Sequence, residues 1–185
     1  MKIFISGGCK NGKSTHAQAL ALGRRKASRP QAASHPQAAS RPLYYIATMT
    51  PGDEEDQARI ARHVEERRGL GFETVEIPRG IETLLEKCDC TGSFLLDSLT
   101  ALLANEMFSG GFDPLAPLRI REGLGLIFET VDDIVLVSDY IYSDAWRYDE
   151  FTTAYRRGLS ALDIFCAQSC DRVLEACCGM VITHK

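Results

Sequence analysis

The residues with the clearest chemical role lie near the start of the chain, in the stretch FISGGCKNGKSTHAQ, residues 4–18. The pattern G-x-x-x-x-G-K-S/T is matched there by Gly7, Gly12, Lys13 and Ser14. Glycines let backbone N–H groups face a phosphate, and the N-terminus of the following helix adds partial positive charge. A lysine exposed in such a loop can reach phosphate oxygens, and the serine hydroxyl can ligate Mg²⁺. The stretch therefore predicts a nucleotide phosphate site.

A phosphate site of this kind also needs a carboxylate near the metal, at the end of a neighbouring strand. Asp97 closes the apolar run SFLL, and Asp139 follows the run IVLV, so both qualify by position. Asp97 is favoured over Asp139 as the metal carboxylate, together with Ser14. Either aspartate could instead only cap the helix that follows its strand, because Asp is a good N-cap residue.

One histidine has neighbours that could bind phosphate. His63 lies in ARIARHVEERR, a charged stretch with apolar residues at helical spacing, close to Arg59, Arg62 and Arg67. These arginines could gather phosphates, but the same pattern is typical of a solvated helix face. The residues alone do not favour a catalytic role for His63.

The elements that must position these residues alternate between strands and helices. Strands are expected at LYYIAT, FETVEIP, SFLLDS, DIVLVSD and RVLEACCGMVI, the last as one final strand. Helices are expected at residues 53–68, IETLLEKC, LTALLANEMF, PLRIREGLGLIFETV and DEFTTAYRRGLSALDIFCAQ. This alternation predicts an α/β fold with a mostly parallel sheet and helices on both faces. Residues 1–185 are expected to form a single domain, with a proline-rich, low-complexity surface loop at residues 28–42 in which His35 has no catalytic role.

The composition narrows the possible partners. The net charge is −4 and the arginines are interleaved with acids, so no basic footprint for nucleic acid is present. No apolar run approaches the roughly 20 residues of a membrane span, and no signal peptide precedes the phosphate motif, so a cytoplasmic protein is expected. The seven cysteines show no zinc spacing and are odd in number, which favours free thiols. Cys9, near a helix N-terminus, is expected to be reactive without being catalytic.

The order of ISGGCKNGKSTHA, LYYIATMT, ARIARH, TVEIP and FLLDSLTALLANEMF resembles the bifunctional adenosylcobinamide kinase / adenosylcobinamide-phosphate guanylyltransferase family. The resemblance covers nearly the whole chain apart from the proline-rich insertion. It implies a P-loop domain similar to the recombinase core and a homotrimer. It also implies phosphorylation of the aminopropanol arm of adenosylcobinamide, followed by transfer of GMP from GTP to the product through a GMP-histidine.

The same resemblance implies the site residues and cofactors. GTP and ATP are expected as substrates and Mg²⁺ as cofactor, with His63 and Lys13 catalytic and with Ser14 and Asp97 at the metal. The implied nucleotide contacts are Gly7, Gly8, Cys9, Lys10, Asn11, Gly12, Lys13, Ser14, Thr48, Met49, Thr50, Val64, Glu65, Glu66, Arg67, Glu76 and Asp97.

The chain departs from the family pattern in two places. Members usually show VSNEVG where this chain has VSDYIYSDAWRYDE, residues 137–150, and Asp163 and Ile164 replace a late Asn-Gln pair. These departures bear on the corrinoid-facing surface and leave the nucleotide motif intact. Two other functions stay open: a P-loop kinase of another small alcohol or nucleoside, in which His63 is only a surface residue, and a nucleotide-gated binding protein without turnover.

Overall fold

A computed structural model describes residues 1–27 and 41–185. Its strands are β1 (Lys2–Gly7), β2 (Leu43–Ala47), β3 (Glu73–Glu76), β4 (Ser93–Asp97), β5 (Ile134–Val137), β6 (Arg172–Cys177) and β7 (Met180–Thr183). They form one sheet in the order β3-β2-β4-β5-β1-β6-β7, in which every neighbouring pair is parallel except β6 and β7. The predicted α/β fold with a mostly parallel sheet is confirmed.

The helices follow the apolar periodicity of the sequence. They are α1 (Lys13–Ala27), α2 (Glu54–Glu66), α3 (Leu84–Lys87), α4 (Leu99–Phe108), α5 (Ala116–Thr130) and α6 (Glu150–Ser169). Side chains cap three of them: Asp53 precedes α2, Ser98 precedes α4 and Asp149 precedes α6, and each accepts a hydrogen bond from a backbone N–H of the first turn. These polar residues therefore fix where the helices begin.

The sheet is buried between two unequal layers. On one face α1 packs against alternate strand residues such as Ile3, Ile5 and Leu95. On the other face α4, α5 and α6 cover the intervening residues, among them Phe4 and Phe94. Because the central strands are buried on both faces, their sequences are continuous apolar runs rather than alternating ones.

Two of the expected elements are wrong in detail. The run RVLEACCGMVI is not one strand but an antiparallel hairpin, because Cys178 and Gly179 adopt φ values of 51° and 77° and reverse the chain between β6 and β7. IETLLEKC forms a 3-10 turn at Ile81–Thr83 and only one turn of α-helix. The loop expected at residues 28–42 lies outside the described residues except for its last two positions.

Candidate active site

The phosphate motif lies between the end of β1 and the start of α1. Gly7, Lys10 and Gly12 have φ values of 156°, 55° and 86°, two of them at glycines that tolerate positive φ. A Cβ atom on Gly7 would collide with the carbonyl oxygen of Ala176 on β6. The tight turn is thus possible because the motif has glycine at that position.

Lys13 is buried, with only 5% of the residue exposed, so the expectation of an exposed loop lysine is wrong. Its Nζ donates to the Gly8 carbonyl oxygen at 2.6 Å and to Asp139 Oδ1 at 2.8 Å. The physical reason is the strand order: β5 is the direct neighbour of β1, so the residue that follows β5 lies against the motif. Asp139 therefore neutralises the lysine charge.

The two carboxylates considered as metal ligands have different partners. Asp97, at the end of β4, accepts a hydrogen bond from the Tyr45 hydroxyl through Oδ2 at 3.0 Å, and the described residues form no ion pair with it. Asp139 pairs with Lys13, and its backbone N–H donates to Thr100 Oγ1 at 2.8 Å. Asp97 is therefore the carboxylate that no lysine or arginine of the described chain neutralises.

A cleft of about 520 Å³ lies at the carboxyl ends of the strands. This is the edge at which open α/β sheets bind their ligands. Its walls come from the P-loop helix, the ends of β2, β3 and β4, the segment after β2, and helices α2, α4 and α6. The candidate functional side chains among them are Ser14, Met49, Thr50, His63, Val64, Arg67, Glu76, Asp97, Asp139 and Tyr155.

His63 faces this cleft from the last turn of α2, with 24% of its side chain exposed. Its Nδ1 lies 3.3 Å from Glu66 Oε2, close enough for an ion pair, but Nδ1 makes no hydrogen bond of acceptable geometry to a described residue. Nδ1 is also the buried nitrogen of the ring. Nε2 is thus the nitrogen better placed to meet a ligand.

Arg67 is the buried cation of the cleft, with 7% of the residue exposed. Its guanidinium carbon lies 3.4 Å from the centroid of the Tyr45 ring, a cation–π contact. Its Nε and Nη1 are buried and have no hydrogen-bond partner within residues 1–27 and 41–185. Buried donors without partners cost free energy, so an anion bound in the cleft would supply what the guanidinium lacks.

Comparison with known proteins bears on what this cleft does. The family model described as cobinamide kinase / cobinamide phosphate guanyltransferase matches residues 3–184. The chain belongs to this family. The bifunctional adenosylcobalamin biosynthesis protein CobU of Salmonella typhimurium strain LT2 is 32% identical over 113 residues, covering 60% of this chain. The matched segment is about half of that relative's length, 52%.

Solved structures bear on the fold. An ATPase domain of known structure superposes with a TM-score of 0.51 at 10% identity, over 94% of this chain and 68% of that one. The flagellar accessory protein FlaH from Methanocaldococcus jannaschii gives a TM-score of 0.46 at 12% identity, over 97% and 74% of the two chains. The ATPase domain supports a P-loop NTPase fold for this family member. Within the described residues, no helix has the length and apolar character needed to cross a bilayer.

Several residues implied by the family resemblance do not line the cleft. Glu65 and Glu66 are exposed on α2, and Arg62 is exposed as well. Thr48 is fully buried, and its hydroxyl exchanges hydrogen bonds with the Ser98 backbone at 2.7 and 2.8 Å, which fixes the segment that carries Met49. The residues from Gly7 to Gly12 form the phosphate loop and do not line the cleft. The side chain of Arg59 is not among those that the structure describes.

Sequence reasoning missed other cleft residues. Thr100, Ala101 and Ala104 present one face of α4 to the cleft, and Tyr45 and Tyr155 complete it. The face of α4 that lines the cleft could have been predicted. The helix begins shortly after Asp97, and residues three and four apart on a helix lie on the same side. The position of Tyr155 in the cleft depends on the tertiary packing of α6 against α4, α5 and β1, which local sequence patterns do not encode.

Residues of the two segments that depart from the family pattern lie next to each other in the fold. The Tyr142 hydroxyl donates to Asp163 Oδ2 at 2.9 Å, and both residues, with Tyr140 and Ile164, line a second cavity of about 310 Å³ on the other side of β1. Burial raises the pKa of the Asp163 carboxyl to about 6, against hydrogen bonds that lower it. The same burial, with the Asp163 charge nearby, raises the pKa of Tyr142. Among the departing residues, Asp139 is the one that lines the larger cleft of the described chain.

Proposed function

We propose that this chain phosphorylates adenosylcobinamide and then transfers GMP from GTP to the product, with the GMP carried on His63. The proposal rests on family membership and on one observation in particular: His63 faces the same cleft as Ser14 and Asp97. A single nucleotide can therefore place its terminal phosphates at the P-loop and its α-phosphate toward the histidine. The chain is further proposed to act in the cytoplasm as a homotrimer.

The kinase half depends on the P-loop. The backbone N–H groups of residues 8–13 and the start of α1 offer donors and partial positive charge to the β- and γ-phosphates. Lys13 would exchange its contact with Asp139 for a phosphate oxygen, since both are anionic partners for the same ammonium. The acceptor hydroxyl then attacks the γ-phosphorus, the bond to the β-phosphate oxygen breaks, and the nucleoside diphosphate leaves.

The transferase half depends on His63. Nε2 attacks the α-phosphorus of GTP, a P–N bond forms, and the bond to the β-phosphate oxygen breaks to release pyrophosphate. The terminal phosphate oxygen of adenosylcobinamide phosphate then attacks the same phosphorus, and the P–N bond breaks to return free His63. Arg67 would offset the charge at the α-phosphate, because its unpaired donors lie in the same cleft.

The site fits a magnesium ion in composition. Ser14 supplies a hydroxyl and Asp97 a carboxylate, the hard oxygen ligands that Mg²⁺ prefers. Nowhere in the described chain do three or more His, Cys, Asp or Glu side chains gather to hold a metal. This fits a metal that takes one or two protein ligands and the rest from phosphates and water. When bound, it would neutralise charge on the phosphates.

The proposed function is tested with GTP labelled at either the α- or the γ-phosphate. With adenosylcobinamide as acceptor, γ-label should appear in adenosylcobinamide phosphate, and α-label should then appear in its guanylylated product. Transfer of γ-label alone would favour a kinase without nucleotidyl transfer. Hydrolysis at the same rate with and without the acceptor would favour a nucleotide-gated binding protein.

A further inference from the structure

Two neighbouring cysteines lie at the turn between β6 and β7. Cys177 ends β6 and Cys178 begins the turn, and both are exposed with their Sγ atoms 3.8 Å apart. Among the other free cysteines of the described chain, Cys9 is also exposed but is a single thiol in the phosphate loop, Cys88, Cys166 and Cys170 are buried, and Cys90 is partly buried. This pair is therefore the dithiol that a solute can reach.

The turn is connected directly to the phosphate loop. The carbonyl oxygen of Ala176, the residue before Cys177, accepts a hydrogen bond from the side-chain amide of Asn11. In the sheet register Ala176 is also the partner of Gly7, where a Cβ atom would collide with the same carbonyl oxygen. A change in the backbone at the end of β6 must therefore reach the P-loop.

The two thiols are arranged to react in sequence. The Cys177 thiol donates a hydrogen bond to Cys178 Sγ. This bond, and the charge of a Cys178 thiolate, raise the pKa of Cys177. Because the two Sγ atoms lie 3.8 Å apart, once one thiolate has attacked a disulfide the other thiol is in reach to resolve the mixed disulfide.

We propose that Cys177 and Cys178 form a modification site that reacts with a low-molecular-weight disulfide and closes reversibly to a vicinal disulfide, weakening nucleotide binding at the P-loop. One thiolate attacks the oxidant and releases a first thiol. The second thiolate then displaces the other half as a second thiol and closes the ring. The two cysteines lose two protons and two electrons, and the oxidant is reduced to two thiols.

Ring closure requires the turn to change shape. Consecutive Cα atoms are about 3.8 Å apart, below the roughly 4.4–6.8 Å of ordinary disulfides. Strain of this kind makes a disulfide more reducible, which makes the modification reversible. Ring closure would change the turn at Cys178 and Gly179, and the adjacent Ala176 carbonyl oxygen accepts the hydrogen bond from Asn11, so we expect the change to reach the phosphate loop.

The proposal is tested on the full chain with oxidised glutathione. We expect the peptide carrying Cys177 and Cys178 to lose two hydrogens in a mass spectrum. We also expect the Kd for a fluorescent GTP analogue with Mg²⁺ to rise about fivefold, the equivalent of one hydrogen bond of about 1 kcal/mol. Dithiothreitol should restore both.

Matched variants locate the effect. Cys177→Ser and Cys178→Ser should bind the analogue as the reduced protein does and should not respond to the oxidant, whereas Cys90→Ser should respond fully. An equal loss of binding in oxidised Cys177→Ser would place the effect at another thiol, such as Cys9, and overturn the proposal. So would ring closure with an unchanged Kd, or a stable glutathione adduct without closure. Failure of the reduced protein to bind the analogue would instead count against the nucleotide site.

Discussion

The two helices that carry the proposed catalytic residues are held in very different ways. Helix α1 packs on the sheet through buried residues such as Ala17 and Ala21, and at its start Lys13 is buried and ion-paired. Helix α2 has no buried residue among those of its side chains that are described, and His63 reaches the cleft from its last turn. The phosphate side is therefore built into the core, while the helix that carries the histidine buries none of its described side chains.

This difference matches the two roles proposed above. Phosphoryl transfer depends on fixed donors and charges, which work best when preorganised. A histidine that receives a nucleotidyl group and passes it on must meet two large ligands in turn, so a helix with few core contacts can adjust at low cost. Arg67 connects α2 to the sheet, because it directly follows the helix and stacks on Tyr45 of β2.

The largest effect is expected on the preorganised side. Lys13→Ala should reduce phosphoryl transfer at least about 100-fold, because its charge meets developing negative charge where such interactions are worth roughly 3 kcal/mol. The kinase rate with saturating ATP or GTP is the measurement. Lys13→Ala also leaves Asp139 without its cation, so Lys13→Ala/Asp139→Ala is the control that should recover stability but not activity. Near-native turnover in either variant would contradict a catalytic role for Lys13.

The next largest effect is expected where the two regions meet. Arg67→Met should lower GMP transfer about 10- to 100-fold and change phosphorylation much less, because hydrogen bonds to charged groups contribute about 1.5–3 kcal/mol. Arg68→Met is the matched control, since Arg68 is exposed and pairs only with Glu65, at 3.2 Å, among the described residues. Equal losses in the two activities would show that Arg67 supports the fold rather than the α-phosphate.

A smaller effect is expected on the stability of the fold, at the buried Asp163 of α6. Burial raises the pKa of Asp163 from 3.8 to about 6, so the folded state keeps a proton that the unfolded state releases between these values. The free energy of unfolding should therefore fall as pH rises through this window, by about 3 kcal/mol at most. Asp163→Asn should remove this fall and be more stabilising at pH 8 than at pH 4, as measured by urea unfolding.

An exposed aspartate provides the control for that experiment. Hydrogen bonds from Thr152 lower the pKa of Asp149, so its stabilisation is present above the unfolded pKa and is lost in acid. Asp149→Asn should therefore cost stability at high pH and not at low pH, the opposite trend. Parallel pH profiles for the native chain and Asp163→Asn would show that the Asp163 carboxyl is not held neutral by burial.

The sequence predicted the parts of the site that local patterns encode. The P-loop, the strand ending at Asp97 and the helix carrying His63 follow from motif, apolar runs and periodicity. The pairing of Lys13 with Asp139 does not, because it depends on β5 rather than β4 lying beside β1, and strand order is a tertiary property. The burial of Arg67 was not predictable for the same reason: its position four residues after His63 places both on one helix face, but the Tyr45 ring that covers it lies on strand β2.

The most direct test of the account is the mass of the intact protein after incubation with GTP and Mg²⁺, followed by peptide mapping. We expect one added GMP per chain, on His63, acid-labile and alkali-stable as a phosphoramidate is. His63→Asn should carry no GMP and transfer none, but should keep measurable kinase activity, since phosphorylation uses the P-loop and not this nucleophile. An acid-labile GMP adduct on the His63→Asn protein, or no adduct on the native chain, would contradict the assignment of His63 as the nucleophile.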